Sequence, residues 1–257
     1  MDGLRMSRRR FYAPPGAFNL KLGNVMLAED EARHLRDVLR LKTGDDVSVF
    51  DGEGKEFHCR VVESRRDRAQ LEVVNETTPL RHESPLHLTL AVALLKGEKF
   101  DLVVQKATEL GVVEVVPVVT KLADIRLRDN SDAAKRVTRW QRIALEAAKQ
   151  CGRARVPIVT EPIDFSDLIQ AQDATVASNR LLFTEREGQS LKDAPLETNS
   201  SALTALIGSE GGWTDEELQN ARDAGWILVT LGGRTLRAET AAISVAVLLQ
   251  HLHGDLF

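Results

Sequence analysis

The chain has 257 residues, 43% hydrophobic and 28% charged, with 34 Lys and Arg against 38 Asp and Glu for a formal charge of −4. Such a chain is long enough for one large domain or two small ones, and its composition excludes a disordered or fibrous class. Two cysteines, Cys59 and Cys151, are too few for a disulfide framework; the long apolar run Ala241–Leu249 is too short for a membrane span; and the arginines near the start have no apolar stretch behind them. These features predict a soluble, cytoplasmic protein.

Up to about Thr78 the pattern is one of short alternating runs, Asp46–Phe50, Glu56–Val62 and Gln70–Val74, separated by turn signals at Lys42–Asp45 and Asp51–Gly54. One helix over about Asp30–Arg40 interrupts them, and together these elements predict a small β-barrel. Beyond residue 80 strands and helices alternate. Leu86–Leu95 reads as a buried strand, Glu98–Leu110 as a helix, Val112–Val119 as a strand, and Ser131 to Gly152 as a helix with Ser131 as its N-cap. Further strands are predicted at Val156–Val159, Arg180–Thr184, Ala202–Ile207 and Trp226–Leu231. Thr214–Glu217 is a capping box that opens a helix closed by Gly225, and a nearly continuous apolar helix runs from about Glu239 to Leu252. The expected organisation is a barrel over residues 1–80 and an α/β domain with a mainly parallel sheet over 81–257.

Charge is segregated along this frame. Residues 121–155 carry 10 basic and 4 acidic side chains, whereas residues 156–233 carry 4 and 13. On the helix from Ser131, the apolar positions Val137, Trp140, Ile143, Ala144, Ala147 and Cys151 share one side. Lys135, Arg139, Arg142, Lys149 and Arg153 share the other, with Glu146 the one acid among them. A merely solvated face mixes its signs for i,i+4 pairing, so a one-sign stripe points to phosphates.

Two glycine-bearing turns follow apolar strands: Ile207-Gly-Ser-Glu-Gly-Gly212 and Leu231-Gly-Gly-Arg-Thr-Leu-Arg237. At the carboxyl ends of strands such turns let backbone approach a ligand closely. Neither is G-x-G-x-x-G, Lys96-Gly-Glu-Lys99 lacks P-loop spacing, Gly208-Ser209 does not meet G-x-S-x-G, and no His or Cys spacing suits a metal. Dehydrogenase, hydrolase and metalloenzyme readings weaken together.

The two turns, the second extended to Ala241, resemble the paired signatures of the RsmE family, SPOUT-class methyltransferases that act on N3 of a uridine in bacterial 16S ribosomal RNA. Lys106–Gly111, Trp140 with Ala147–Arg153, His34 with Val38–Arg40, and the Arg9–Phe11 start extend the likeness over essentially the whole chain. Ser209, Trp213 and Cys151 depart from the family's pattern, where proline, phenylalanine and serine are common.

The resemblance implies a PUA-like N-terminal β-barrel, a C-terminal SPOUT-type α/β domain tied in a trefoil knot, a homodimer, and S-adenosylmethionine as cofactor without a metal. Carried onto this chain, it places the cofactor against Leu206, Ile207, Gly208, Gly211, Gly212, Leu231, Gly232, Leu236 and Arg237. Uridine N3–H must lose its proton, so Arg237 is the candidate for stabilising the uracil anion, and Glu210 or Glu239 for accepting the proton. Arg8, Arg9, Arg10, Arg36 and Arg40 are expected to contact phosphates from the first domain, and Arg139, Arg142, Lys149 and Arg153 from the second. With 5% aromatic residues, recognition should follow the shape of a folded RNA or of the small ribosomal subunit. Methylation of another structured RNA such as tRNA, and a non-catalytic RNA-binding assembly factor, remain alternatives.

Overall fold

A computed structural model describes residues 9–171, 179–196 and 201–256, so Arg8 lies outside the described residues. The chain divides into two compact units, one of the residues up to Glu83 with Leu145–Val156, the other of Ser84–Ala144 with the residues from Pro157 onward.

In the first unit, β1 (Arg10–Tyr12), β2 (Phe18–Asn19), β3 (Asn24–Leu27), β4 (Asp46–Phe50), β5 (Glu56–Ser64) and β6 (Ala69–Thr77) form one sheet in the order β1-β4-β5-β6-β3-β2. Neighbours are antiparallel except β1 and β4. The β5–β6 pair shifts register between His58 and Cys59 and between Val61 and Glu63. Such bulges bend and twist a sheet. The sheet encloses Phe11, Val25, Leu27, Val49, Phe57 and Leu71. Helix α1 (Glu29–Arg33) opens into a wide π-turn over His34–Val38, where the Leu39 amide donates to the His34 carbonyl at 3.0 Å. The helix predicted to Arg40 therefore widens early. This sets Ala32 and Leu35 into the core, and Arg40 leaves at a left-handed φ of 54°.

Three arginines and lysines expected on RNA are instead structural in this unit. Arg10 donates to both Glu56 oxygens (3.1 and 3.2 Å) and to the Arg153 carbonyl (2.8 Å), and its guanidinium lies 3.9 Å from the Phe50 ring centroid. Arg153 pairs with Glu83 at 2.6 Å and Lys149 with Glu31 at 2.6 Å. The Arg10 and Arg153 side chains are only 2% and 6% exposed. A phosphate could reach either only by breaking these pairs, so Arg10, Lys149 and Arg153 are removed from the RNA-contact set.

The second unit holds an all-parallel sheet of β7 (His87–Ala93), β8 (Glu114–Val119), β9 (Ile158–Val159), β10 (Ile163–Asp164), β11 (Asn179–Phe183), β12 (Gln189–Ser190), β13 (Ala202–Ile207) and β14 (Ile227–Thr230). Its order is β10-β8-β7-β13-β11-β14-β12, with β9 beside β8. Largely buried on both faces, β7 and β13 are apolar apart from His87, Thr89 and Thr204.

Helices α2 (Lys99–Glu109), α3 (Asn130–Cys151), α4 (Phe165–Gln170), α5 (Asp215–Asp223) and α6 (Ala238–His253) complete the fold. α4 packs on α5, and α6 packs on α2, β7 and β13. The cap of α3 is Asp129 rather than Ser131: its carboxylate accepts from the Asp132 amide at 2.9 Å, and Ser131 lies inside the helix. The capping box of α5 forms as predicted between Thr214 and Glu217, and Gly225 (φ 81°) follows its end.

Candidate active site

Strands β11, β13 and β14 end together, with Phe183 in register with both Ile207 and Val229. Beyond that edge, Phe183–Glu185, Ile207–Trp213 and Thr230–Ala238 enclose a cavity of about 500 Å³. This is the place where open α/β sheets bind ligands, and the volume suits a small organic molecule.

The first loop is tightly packed at its glycines. A Cβ on Gly208 would meet the Trp213 ring at 3.0 Å, and one on Gly211 the Leu122 carbonyl oxygen at 2.8 Å. Gly212 has φ +68°, its amide donates to the Ser209 carbonyl at 3.0 Å, and a Cβ there would lie 2.8 Å from Glu185 Oε1. Trp213 is buried and donates from Nε1 to the Phe183 carbonyl at 2.9 Å, tying this loop to the end of β11. The buried Ser209 Oγ finds no hydrogen-bond partner among the described residues. The second loop must cross the sheet edge from β14 to reach α6 over β7 and β13. Two successive left-handed glycines, Gly232 and Gly233, open that crossing, and Gly232–Arg237 stay exposed.

Ile207, Gly208, Gly211, Gly212, Leu231, Gly232, Leu236 and Arg237 all line the cavity, as does Glu210. Leu206 does not. Strand side chains alternate, and Leu206 is buried in the core with Leu182 and Trp213 while Ile207 faces the cavity. Glu239 also lies off the cavity lining, in the first turn of α6 with a side chain 12% exposed.

Sequence reasoning missed Lys99. From the start of α2 its Nζ reaches Glu210 Oε1 at 2.7 Å and Glu239 Oε2 at 3.8 Å. Burial pushes the Glu210 carboxyl up, but the hydrogen bond from Lys99, its own backbone amide and the lysine charge outweigh that and hold it below its ordinary value. The hydrogen bond with Glu210 raises Lys99 in turn. Thr184 and Glu185 were missed as well. Their strand was predicted, but only the sheet order shows that its end lies between the two glycine loops.

Of the remaining RNA candidates, Arg9 lies 3.8 Å from Asp45, Arg36 donates to Asp37 and to the Arg65 carbonyl, and Arg40 is exposed. Arg139 is exposed and pairs with Asp101, while Arg142 is exposed. Among the described residues no cluster of His, Cys, Asp and Glu could hold a metal ion, and no helix is long and apolar enough to cross a membrane.

A family model described as an RNA methyltransferase domain matches residues 82–250, and one described as an RNA methyltransferase PUA domain matches 27–74. The ribosomal RNA small subunit methyltransferase E of Synechocystis sp. is 35% identical over 221 residues, covering 84% of this chain and 69% of that protein. The chain belongs to the RsmE family. The crystal structure of the RsmE protein of Neisseria gonorrhoeae, bound to S-adenosylmethionine, superposes with a TM-score of 0.84 at 36% identity, covering 97% of this chain and 99% of that one. A Legionella pneumophila structure with the same bound cofactor gives 0.84 at 30% identity, covering 96% and 99%. The architecture is thus the one that RsmE membership implies, a PUA-like unit followed by a SPOUT-type α/β domain.

Proposed function

We propose that this chain methylates N3 of a uridine in 16S ribosomal RNA with S-adenosylmethionine as donor. The observation that carries the reading is the cavity at the ends of β11, β13 and β14, built from two glycine loops in a chain of the RsmE family. Bound there, the cofactor supplies a methyl group made electrophilic by its sulfonium. Its adenosine part suits the apolar Ile207, Leu231 and Leu236 with close backbone at Gly208 and Gly232, and the orphaned Ser209 Oγ offers a hydrogen bond.

Methyl transfer to N3 requires the N3–H proton to leave and negative charge to build on the uracil. We assign the stabilisation of that charge to Arg237, which is exposed at the cavity. Of the two candidate bases, Glu210 has the access, because it lines the cavity, and it is held in the ionised form a base needs. Its hydrogen bond to Lys99 weakens it as a proton acceptor, so we assign most of the acceleration to alignment and to Arg237. Arg9, Arg36, Arg40, Arg139 and Arg142 are left to meet phosphates. The outward apolar side chains Val247, Leu248 and Leu252 of α6, with Leu102 of α2, suit burial against a second copy in a cytoplasmic homodimer.

Labelled S-adenosylmethionine is offered with unmodified small subunits, naked 16S RNA or transfer RNA, followed by nucleoside mass spectrometry. The expected product is 3-methyluridine from a ribosomal substrate, with assembled subunits preferred over naked RNA. Methylation of transfer RNA alone, or no methylated nucleoside despite cofactor binding, overturns the reading.

A further inference from the structure

Lys99 joins two segments that are well separated along the chain. Glu210 belongs to the loop after β13, and Glu239 to the first turn of α6, directly behind the loop after β14. From the first turn of α2 the Lys99 ammonium contacts one carboxylate at 2.7 Å and stands 3.8 Å from the other. Glu239 Oε2 is buried and has no hydrogen-bond partner among the described residues, so the lysine charge is its nearest compensation. A solvated surface lysine has no reason to sit between two carboxylates, one from a cavity wall and one from the helix turn directly behind the other wall. The second wall also needs an anchor, since Gly232–Arg237 are exposed and Arg237 makes no side-chain cap to α6.

We propose that Lys99 is a positioning residue for methyl transfer: through Glu210 and Glu239 it clasps the first cavity loop to the helix turn that anchors the second, and thereby fixes Arg237 against the reacting base. Arg237 stands two residues before Glu239, at the start of the same helix, so a shift of that first turn moves the arginine with it. Displacement of a catalytic group by about 1 Å is enough to cost about 100-fold in rate. The catalytic role rests on the reaction proposed above; the coupling of the loops does not.

The test uses the full chain with K99A, K99R, E210Q and the K99A/E210Q pair. Single-turnover transfer to unmodified small subunits, cofactor affinity by calorimetry, and backbone hydrogen exchange of the ligand-free protein are measured together. K99A should slow turnover by about 30- to 100-fold while cofactor affinity falls by less than about fivefold. K99R should recover most of the rate, and the double variant should be no slower than the worse single one, because both break the same contact. Exchange should rise in residues 207–213 and 231–237 of K99A and not elsewhere. A K99A rate within about twofold of the parent, additive losses, or a rise in exchange spread over the whole unit overturns the clasp. If the parent protein itself transfers no methyl group, the proposed reaction fails and the exchange pattern alone decides whether the clasp exists.

Discussion

The two units of the chain use charge in opposite ways. In the first, Arg10, Lys149 and Arg153 are each enclosed with a carboxylate, and Arg10 divides its donors between Glu56 and backbone carbonyls above the Phe50 ring. In the second, the charges around the cavity are less fully matched: Arg237 is exposed, Lys99 stands between two acids, and Glu239 Oε2 and Ser209 Oγ have no hydrogen-bond partner among the described residues. Saturated polar groups hold a fold, whereas unsaturated ones keep a capacity to bind. The run Arg8-Arg9-Arg10 shows how little of this is visible beforehand, since Arg10 is buried while its neighbour Arg9 keeps 41% of its side chain exposed.

The contrast can be broken most sharply at Arg10. Arg10→Ala leaves Glu56 buried without its cation and should destabilise the protein by about 3–5 kcal/mol in urea unfolding. Cofactor affinity in the folded protein should be unaffected. Unchanged stability would mean that the enclosed pairs contribute nothing and that the distinction between the units is false.

Arg237→Ala probes the other side of the contrast. It should slow methyl transfer by about 100-fold or more, with little change in stability, because the side chain is exposed and makes no cap bond. Equal losses of turnover and cofactor binding would instead make Arg237 a ligand of the cofactor.

The smallest effect sharpens the division within helix α3. Arg142→Ala should weaken binding to small-subunit RNA a few-fold and reduce the slope of log affinity against log salt by about 1. Lys149→Ala, on the same predicted stripe but paired with Glu31, should leave that slope unchanged and lower the melting temperature. A reduced slope for Lys149→Ala would return it to the RNA-contact set.

Much of the second unit is legible from its sequence because period and punctuation agree there. Ala202–Ile207 is an apolar run closed by glycine, and Thr214–Glu217 carries its own cap chemistry. β1, β2, β3, β10 and β12, of two to four residues each, were not legible because they display no period, whereas the equally short β9 and β14 sit inside the longer apolar stretches Val156–Val159 and Trp226–Leu231. Most of the cavity lining could be named from the two glycine loops, but Leu206 was misplaced by one step of strand alternation. Lys99 and Glu185 escaped for a different reason. Their place depends on which strands are neighbours, a property of long-range pairing that no local window contains. The one-sign stripe on α3 misled in part because its end, from Leu145, is counted with the first unit, where Lys149 and Arg153 meet Glu31 and Glu83.

Strand β13 lies between β7 and β11, although both precede it in the chain. The centre of the sheet therefore cannot close until the polypeptide has been made through Ile207; before then β7 presents one unpaired edge and β11 two. During synthesis those edges are the stretch most open to misassociation. Refolding should be slow for a chain of this size, because this late insertion joins segments distant in sequence. The strand arrangement that gathers the glycine loops around one cavity thus also delays the moment at which the cavity can exist.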